Sequence, residues 1–95
     1  MAVESNGDDV PTRYALAQNY PSPFNPTTRI DFDLPETSRV SLRVFDILGR
    51  EIAVLAEGEF PAGRFSTVWN ATGLPSSVHL YCIKAGSFSA LRRLV

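Results

Sequence analysis

Two carboxylates, Asp31 and Asp33, stand two residues apart in an alternating run. On a strand that spacing puts both on one face about 7 Å apart, a separation at which a pair of acids can hydrolyse a glycoside. The same spacing arises in any strand with an acidic solvent face, where the side chains are hydrated or pair across strands, and that is the reading adopted. His79 is the only histidine, and no elbow motif supplies it with a serine or cysteine nucleophile. Asp46 and Glu51 flank a short turn and could be imagined around Ca²⁺. That ion needs six to eight oxygens, however, and an aspartate repeat that is absent here, so Asp46 is read as a turn-stabilising side chain. Cys82, the single cysteine, can form no internal disulfide and has no metal-ligand companion; it reads as a small apolar strand residue. No constellation for catalysis, metal or cofactor emerges. The chain is read as non-enzymatic.

Binding is the remaining chemistry. Trp69, Tyr81 and Tyr20 could stack on sugars as in a carbohydrate-binding module, but Trp69 falls on the inward parity of its strand, which argues for core. Tyr20-Pro21-Ser22-Pro23-Phe24-Asn25-Pro26-Thr27-Thr28 packs three prolines around one phenylalanine. Each proline fixes φ and lacks an N–H, so the segment is expected to be a stiff, extended lead-in outside any sheet interior. It would present Tyr20 and Phe24 to the body of the domain, Phe24 plugging one end. A polyproline ligand for a partner's aromatic groove is the alternative use.

The elements that position these groups are strands. Ile30, Phe32 and Leu34 alternate with Arg29, Asp31 and Asp33 until Pro35; Val40, Leu42 and Val44 alternate with Ser41 and Arg43. Gly49 supplies the left-handed residue of a tight hairpin into Ile52-Ala53-Val54-Leu55, making those two strands antiparallel neighbours. Phe65, Thr67 and Trp69 form the inward row of the next strand. From Val78 to Lys84 both parities are apolar, which suggests a central strand covered on both faces. Ala85-Gly86-Ser87 turns the chain into a last strand from Phe88 to Val95. With a short extended piece near Tyr20, this gives about seven strands and almost no helix: an all-β, immunoglobulin-like antiparallel sandwich without a disulfide. Its expected core is Ile30, Phe32, Val40, Leu42, Val44, Val54, Trp69, Leu80 and Phe88. Residues 1–13, polar and poor in apolar groups, read as a flexible linker or a remnant of cloning, leaving 14–95 as one domain. Nine basic and ten acidic residues give a net charge of −1, no case for nucleic acid or anionic lipid. No apolar run is long enough to insert in a membrane, and no signal peptide stands at the start, so an exported parent would carry its export signal elsewhere.

Four landmarks, in order, carry a resemblance: Asn19-Tyr20-Pro21-Ser22-Pro23-Phe24-Asn25-Pro26-Thr27-Thr28 with Ile30-Asp31-Phe32-Asp33-Leu34-Pro35; Val40-Ser41-Leu42-Arg43-Val44-Phe45-Asp46-Ile47-Leu48-Gly49-Arg50-Glu51-Ile52; Pro61-Ala62-Gly63 leading into Val68-Trp69-Asn70; and Leu74-Pro75-Ser76-Ser77-Val78 through Leu80-Tyr81 to Arg92-Arg93-Leu94-Val95. From Leu16 onward the chain resembles the type A C-terminal sorting domain of the bacterial type IX secretion system, itself similar to the immunoglobulin-like domain of flagellar hook-capping proteins. The pattern usually has glycine and an aromatic at Ser77 and His79, often an arginine at Cys82, and a few more apolar and basic residues after Val95.

The resemblance implies a non-catalytic address that takes an upstream passenger from the periplasm across the outer membrane to the cell surface or medium, read by the type IX machinery and then cleaved by a sortase-like component. It implies recognition at Pro21, Pro23, Phe24, Asn25 and Pro26, at Gly49 and Arg50, and at Arg92, Arg93 and Val95. A pre-ordered proline segment loses little entropy on docking, and a last strand offers backbone for strand addition. A structural role like that of the hook-capping domain is the alternative, with a carbohydrate-binding module behind it.

Overall fold

The computed structural model describes residues 3–7, 9–23, 26–73 and 78–95. Eight strands follow one another: β1 (Val3–Ser5), β2 (Ala15–Leu16), β3 (Thr27–Leu34), β4 (Ser38–Asp46), β5 (Glu51–Phe60), β6 (Gly63–Asn70), β7 (His79–Ala85) and β8 (Phe88–Leu94). They form two four-stranded antiparallel sheets, ordered β1-β6-β3-β2 and β5-β4-β7-β8. No helix occurs among the described residues. Cys82 is a free thiol, so packing of the two sheets supplies the cohesion.

The rows with clean alternation face inward as their pattern dictates. Ile30, Phe32 and Leu34 of β3 and Val40, Leu42 and Val44 of β4 are at most 1% exposed, and Trp69 is also buried. Phe32 stacks on its cross-strand partner Phe65 at 5.5 Å, and Phe60 meets both rings edge-on. Such offset and edge-to-face contacts add to the area buried.

Three expected core residues are displaced. Val54 is only half-buried because register shifts between Leu42 and Arg43 and between Val44 and Phe45 put bulges into β5; the bulged strand turns Leu55 and Ala56 inward instead. On β7 the two apolar rows compete. Tyr81 and Ile83 occupy the interior, leaving Leu80 and Cys82 half-exposed on the outer face, so β7 is central but covered fully on one face alone. Phe88 also stays half-exposed, its ring stacked on Tyr14 at 5.2 Å at the rim of the core. Within the stretch expected to be a linker, Val3–Ser5 pairs with β6 opposite Thr67, Ser66 and Phe65, and Pro11 is buried.

Candidate recognition surface

Residues 16–21 leave the short strand β2 and run along the seam between the two sheets as a strap. On one side the backbone is laid against β3: Ala17 N donates to Asp31 O at 2.9 Å, and Tyr20 and Arg29 exchange two backbone bonds of 2.8 and 2.6 Å. On the other side the strap holds β8, with which it forms no ladder, through side chains. Gln18 Nε2 donates to Arg93 O at 2.7 Å, Arg92 Nε donates to Leu16 O at 2.6 Å, and the Tyr81 hydroxyl donates to Ala17 O at 2.7 Å.

Asn19 is the centre of this arrangement. Its amide is 2% exposed and bridges residues 76 apart: Nδ2 donates to Val95 O at 2.5 Å while Oδ1 accepts from Val95 N at 3.0 Å. Nδ2 also reaches Thr28 Oγ1 at 3.1 Å, and that hydroxyl donates to Pro21 O at 3.1 Å. A side-chain amide has two donors and one two-sided acceptor, so it can imitate a missing strand for one residue. Without it, the polar backbone at the end of β8 would face a buried amide-sized gap, at a cost of about 1–3 kcal/mol per unmet group.

The expected recognition residues divide into groups. Pro21 at the end of the strap and Pro23 just past it are exposed, each preceded by a cis peptide bond, and Pro26 is exposed with its carbonyl accepting from Ala71 N at 2.9 Å. Phe24 and Asn25 lie outside the described residues. Tyr20 departs from expectation: its backbone is pinned to Arg29, yet its ring is 69% exposed and does not pack into the body. Arg92 and Arg93 are adjacent on a strand and therefore diverge. Arg92 reaches under the strap, whereas Arg93 follows the outward row shared with Leu91 and Leu80. Val95 is held by Asn19 but remains 46% exposed.

Gly49 and Arg50 lie at the same end of the sandwich, as the register Asp46↔His79↔Leu94 requires, but two strands away from the strap. Gly49 adopts φ +82°, the left-handed geometry the hairpin needs. Asp46 Oδ1 accepts from Leu48 N and Arg50 N, both at 2.9 Å, and Oδ2 accepts from Arg50 Nε at 2.7 Å. Arg50 thus projects, 74% exposed, from a turn locked by its own aspartate. The backbone N–H of Arg50, with its guanidinium and the Leu48 N–H, holds the Asp46 carboxyl below its ordinary value of 3.8. A depressed acid stabilises the fold above its unfolded pKa and loses that contribution as pH falls through the folded value. Asp46→Asn should therefore lower the denaturation midpoint at pH 7, and the gap from the parent chain should close below about pH 3.8; urea titrations at pH 7, 5 and 3 check this.

The residues that could have done chemistry are otherwise engaged. Asp33 pairs with its cross-strand neighbour Arg64 at 3.2 Å, and Asp31 lies 3.1 Å from Arg29 Nε in a charge contact. Glu51 and Glu57 both pair with Arg43. Trp69 and Tyr81 are buried, so with Tyr20 they form no shared flat platform for a sugar. His79 is also buried, edge-on to Trp69 at 6.1 Å, with Nδ1 unpartnered. Asn19 and Thr28 stand in the proline motif, and Gln18 just ahead of it, without any task that the sequence assigns to them. The signal in the chain is an amide pair directly ahead of the prolines, in a position where a free loop needs none.

The family model described as the secretion system C-terminal sorting domain matches residues 18–95. No curated protein and no solved structure matches the chain. The family match covers most of the chain and, with the all-strand, two-sheet fold of the described residues, places this chain in the secretion system C-terminal sorting domain family, the type IX signals that mark proteins for export across the outer membrane to the cell surface or beyond.

Proposed function

We propose that the surface read by the export machinery is the strap with Pro21 and the prolines just past it, Pro23 and Pro26, together with Arg93 and Val95. Arg92 acts behind it as a tether, and Gly49-Arg50 forms a separate projecting point. The observation that carries this reading is the bidentate hold of Asn19 on Val95, which makes two distant segments one rigid epitope. A partner that docks on pre-ordered groups loses little conformational entropy. Phe24 and Asn25 belong to the same proposal by their place between Pro23 and Pro26. Residues 14–95 would act as the module, with Val3–Ser5 laid along the edge of β6, and a sortase-like component would cut in the joint between module and passenger. The domain itself performs no chemistry in this reading.

A periplasmic reporter fused ahead of the module, expressed in a host with the type IX apparatus, tests it. The reporter should reach the medium with the intact module. It should stay in the periplasm when Pro21 and Pro23 are replaced by alanine and Arg93 by glutamate, in a variant whose circular dichroism is unchanged. Equal export by that variant would show that the machinery reads another surface.

A further inference from the structure

The two outer faces of the sandwich differ in kind. On the β1-β6-β3-β2 sheet, the outward charges of β3 and β6 cancel locally: Arg29 meets Asp31, and Arg64 meets Asp33. On the β5-β4-β7-β8 sheet, register aligns Leu91, Cys82 and Arg43 in one outward row and Arg93, Leu80 and Phe45 in the next. Leu91 is 62% exposed, and Leu80, Cys82 and Phe45 are half-exposed, forming an apolar floor. Ser41, Arg43, Phe45, Cys82 and Lys84 line a shallow depression in it.

On the β7–β8 half of this floor the charges are one-sided. β7 and β8 contain Lys84, Arg92 and Arg93 and no acid. Lys84 and Arg93 have no anionic partner among the described residues. Arg43 is already neutralised by Glu51 and Glu57, which bound the face on the β5 side. An apolar patch flanked by two uncompensated cations selects a partner by complementary charge and suppresses basic competitors.

We infer that the outer face over β7 and β8 is a docking surface for an acidic peptide segment that carries an apolar or aromatic side chain. The apolar group lies on Leu91, Leu80 and the depression beside Cys82, and carboxylates meet Lys84 and Arg93. The glutamates of β5 repel the same peptide, so it stays on the β7–β8 half. This surface is distinct from the strap, and Arg93 is the one residue the two share.

The test uses the full chain and a synthetic six-residue peptide of alternating aspartate and phenylalanine, followed by amide chemical shifts. Shifts are expected along β7 and β8 at Leu80, Cys82, Lys84 and Leu91, and they should weaken with added salt. Lys84→Glu and Leu91→Asp should each reduce affinity about five- to tenfold, while Val68→Asp on the opposite face changes nothing. Arg93 stays intact, so the result is independent of the export assay. Absence of shifts, shifts centred on the Arg29 and Val68 face, or equal binding by a lysine and phenylalanine peptide would overturn the inference. Binding to anionic lipid vesicles alone, with no response to the peptide, would overturn it as well.

Discussion

Tyr81→Ala should destabilise the domain by about 3–5 kcal/mol, as large-to-small changes at fully packed aromatic positions do. In a domain whose whole stability is on the order of 5–15 kcal/mol, that leaves a substantial unfolded fraction. Tyr81 is 0% exposed on the inward row of β7, and its hydroxyl reaches across the seam to Ala17 O. Two roles therefore reside in one side chain, and Tyr81→Phe separates them. It keeps the ring and removes the hydroxyl, so the loss should fall to about 1–2 kcal/mol. Equal damage from both variants, measured by urea denaturation, would mean that the hydroxyl clamp outweighs the ring.

The same residue shapes the alkaline limb of the stability curve. Burial raises the Tyr81 phenol above its ordinary value of 10.0, while the backbone N–H of Asn19 and the charge of Arg92 pull the other way. A group raised in the folded state contributes stability that is complete below its unfolded pKa and disappears as pH rises through the folded one. The parent chain should lose stability above about pH 10, and Tyr81→Phe should do so less steeply.

Asn19→Ala ranks second, with an expected loss of about 2–3 kcal/mol. The amide serves Val95 N, Val95 O, Thr28 Oγ1 and Gln18 Nε2 at once, and alanine serves none of them. Asn19→Asp retains the acceptor for Val95 N but sets a carboxylate oxygen against Val95 O, so it should rescue little. The damage is local. Amide hydrogen exchange should show lost protection at Leu94 and Val95, with the inner strands β4 and β6 still protected. Export of a fused reporter should fall in parallel, because the strap and the end of β8 then move independently. Export at the parental level despite lost protection would separate the epitope from the clamp.

Local patterns wrote much of this architecture into the chain. β3, β4 and β6 follow from strict alternation, and the hairpin at Gly49 from an aspartate three residues ahead of a glycine. The parity of β7 did not follow, because both of its rows are apolar and the choice between Tyr81 and Leu80 depends on what the opposite sheet leaves open. Nor did the bulges of β5, since an extra residue leaves no mark in composition; it shows only when β4 is laid beside it. β1 was hidden for a related reason. Val3-Glu4-Ser5 has no apolar row of its own and is a strand only because β6 offers it an edge.

Strand class, turn chemistry and membership of the sorting family are legible in the chain alone, because each depends on residues within a few positions of one another or on a fixed order of motifs. Tertiary structure alone decided that Asn19 would hold Val95, that Arg92 and Arg93 would serve opposite sides, and that one outer face would be left with uncompensated cations. Those outcomes depend on which strands become neighbours. Hydrogen bonds and ion pairs act over a few ångströms, so contacts between residues 76 apart exist only once the two sheets have closed on each other.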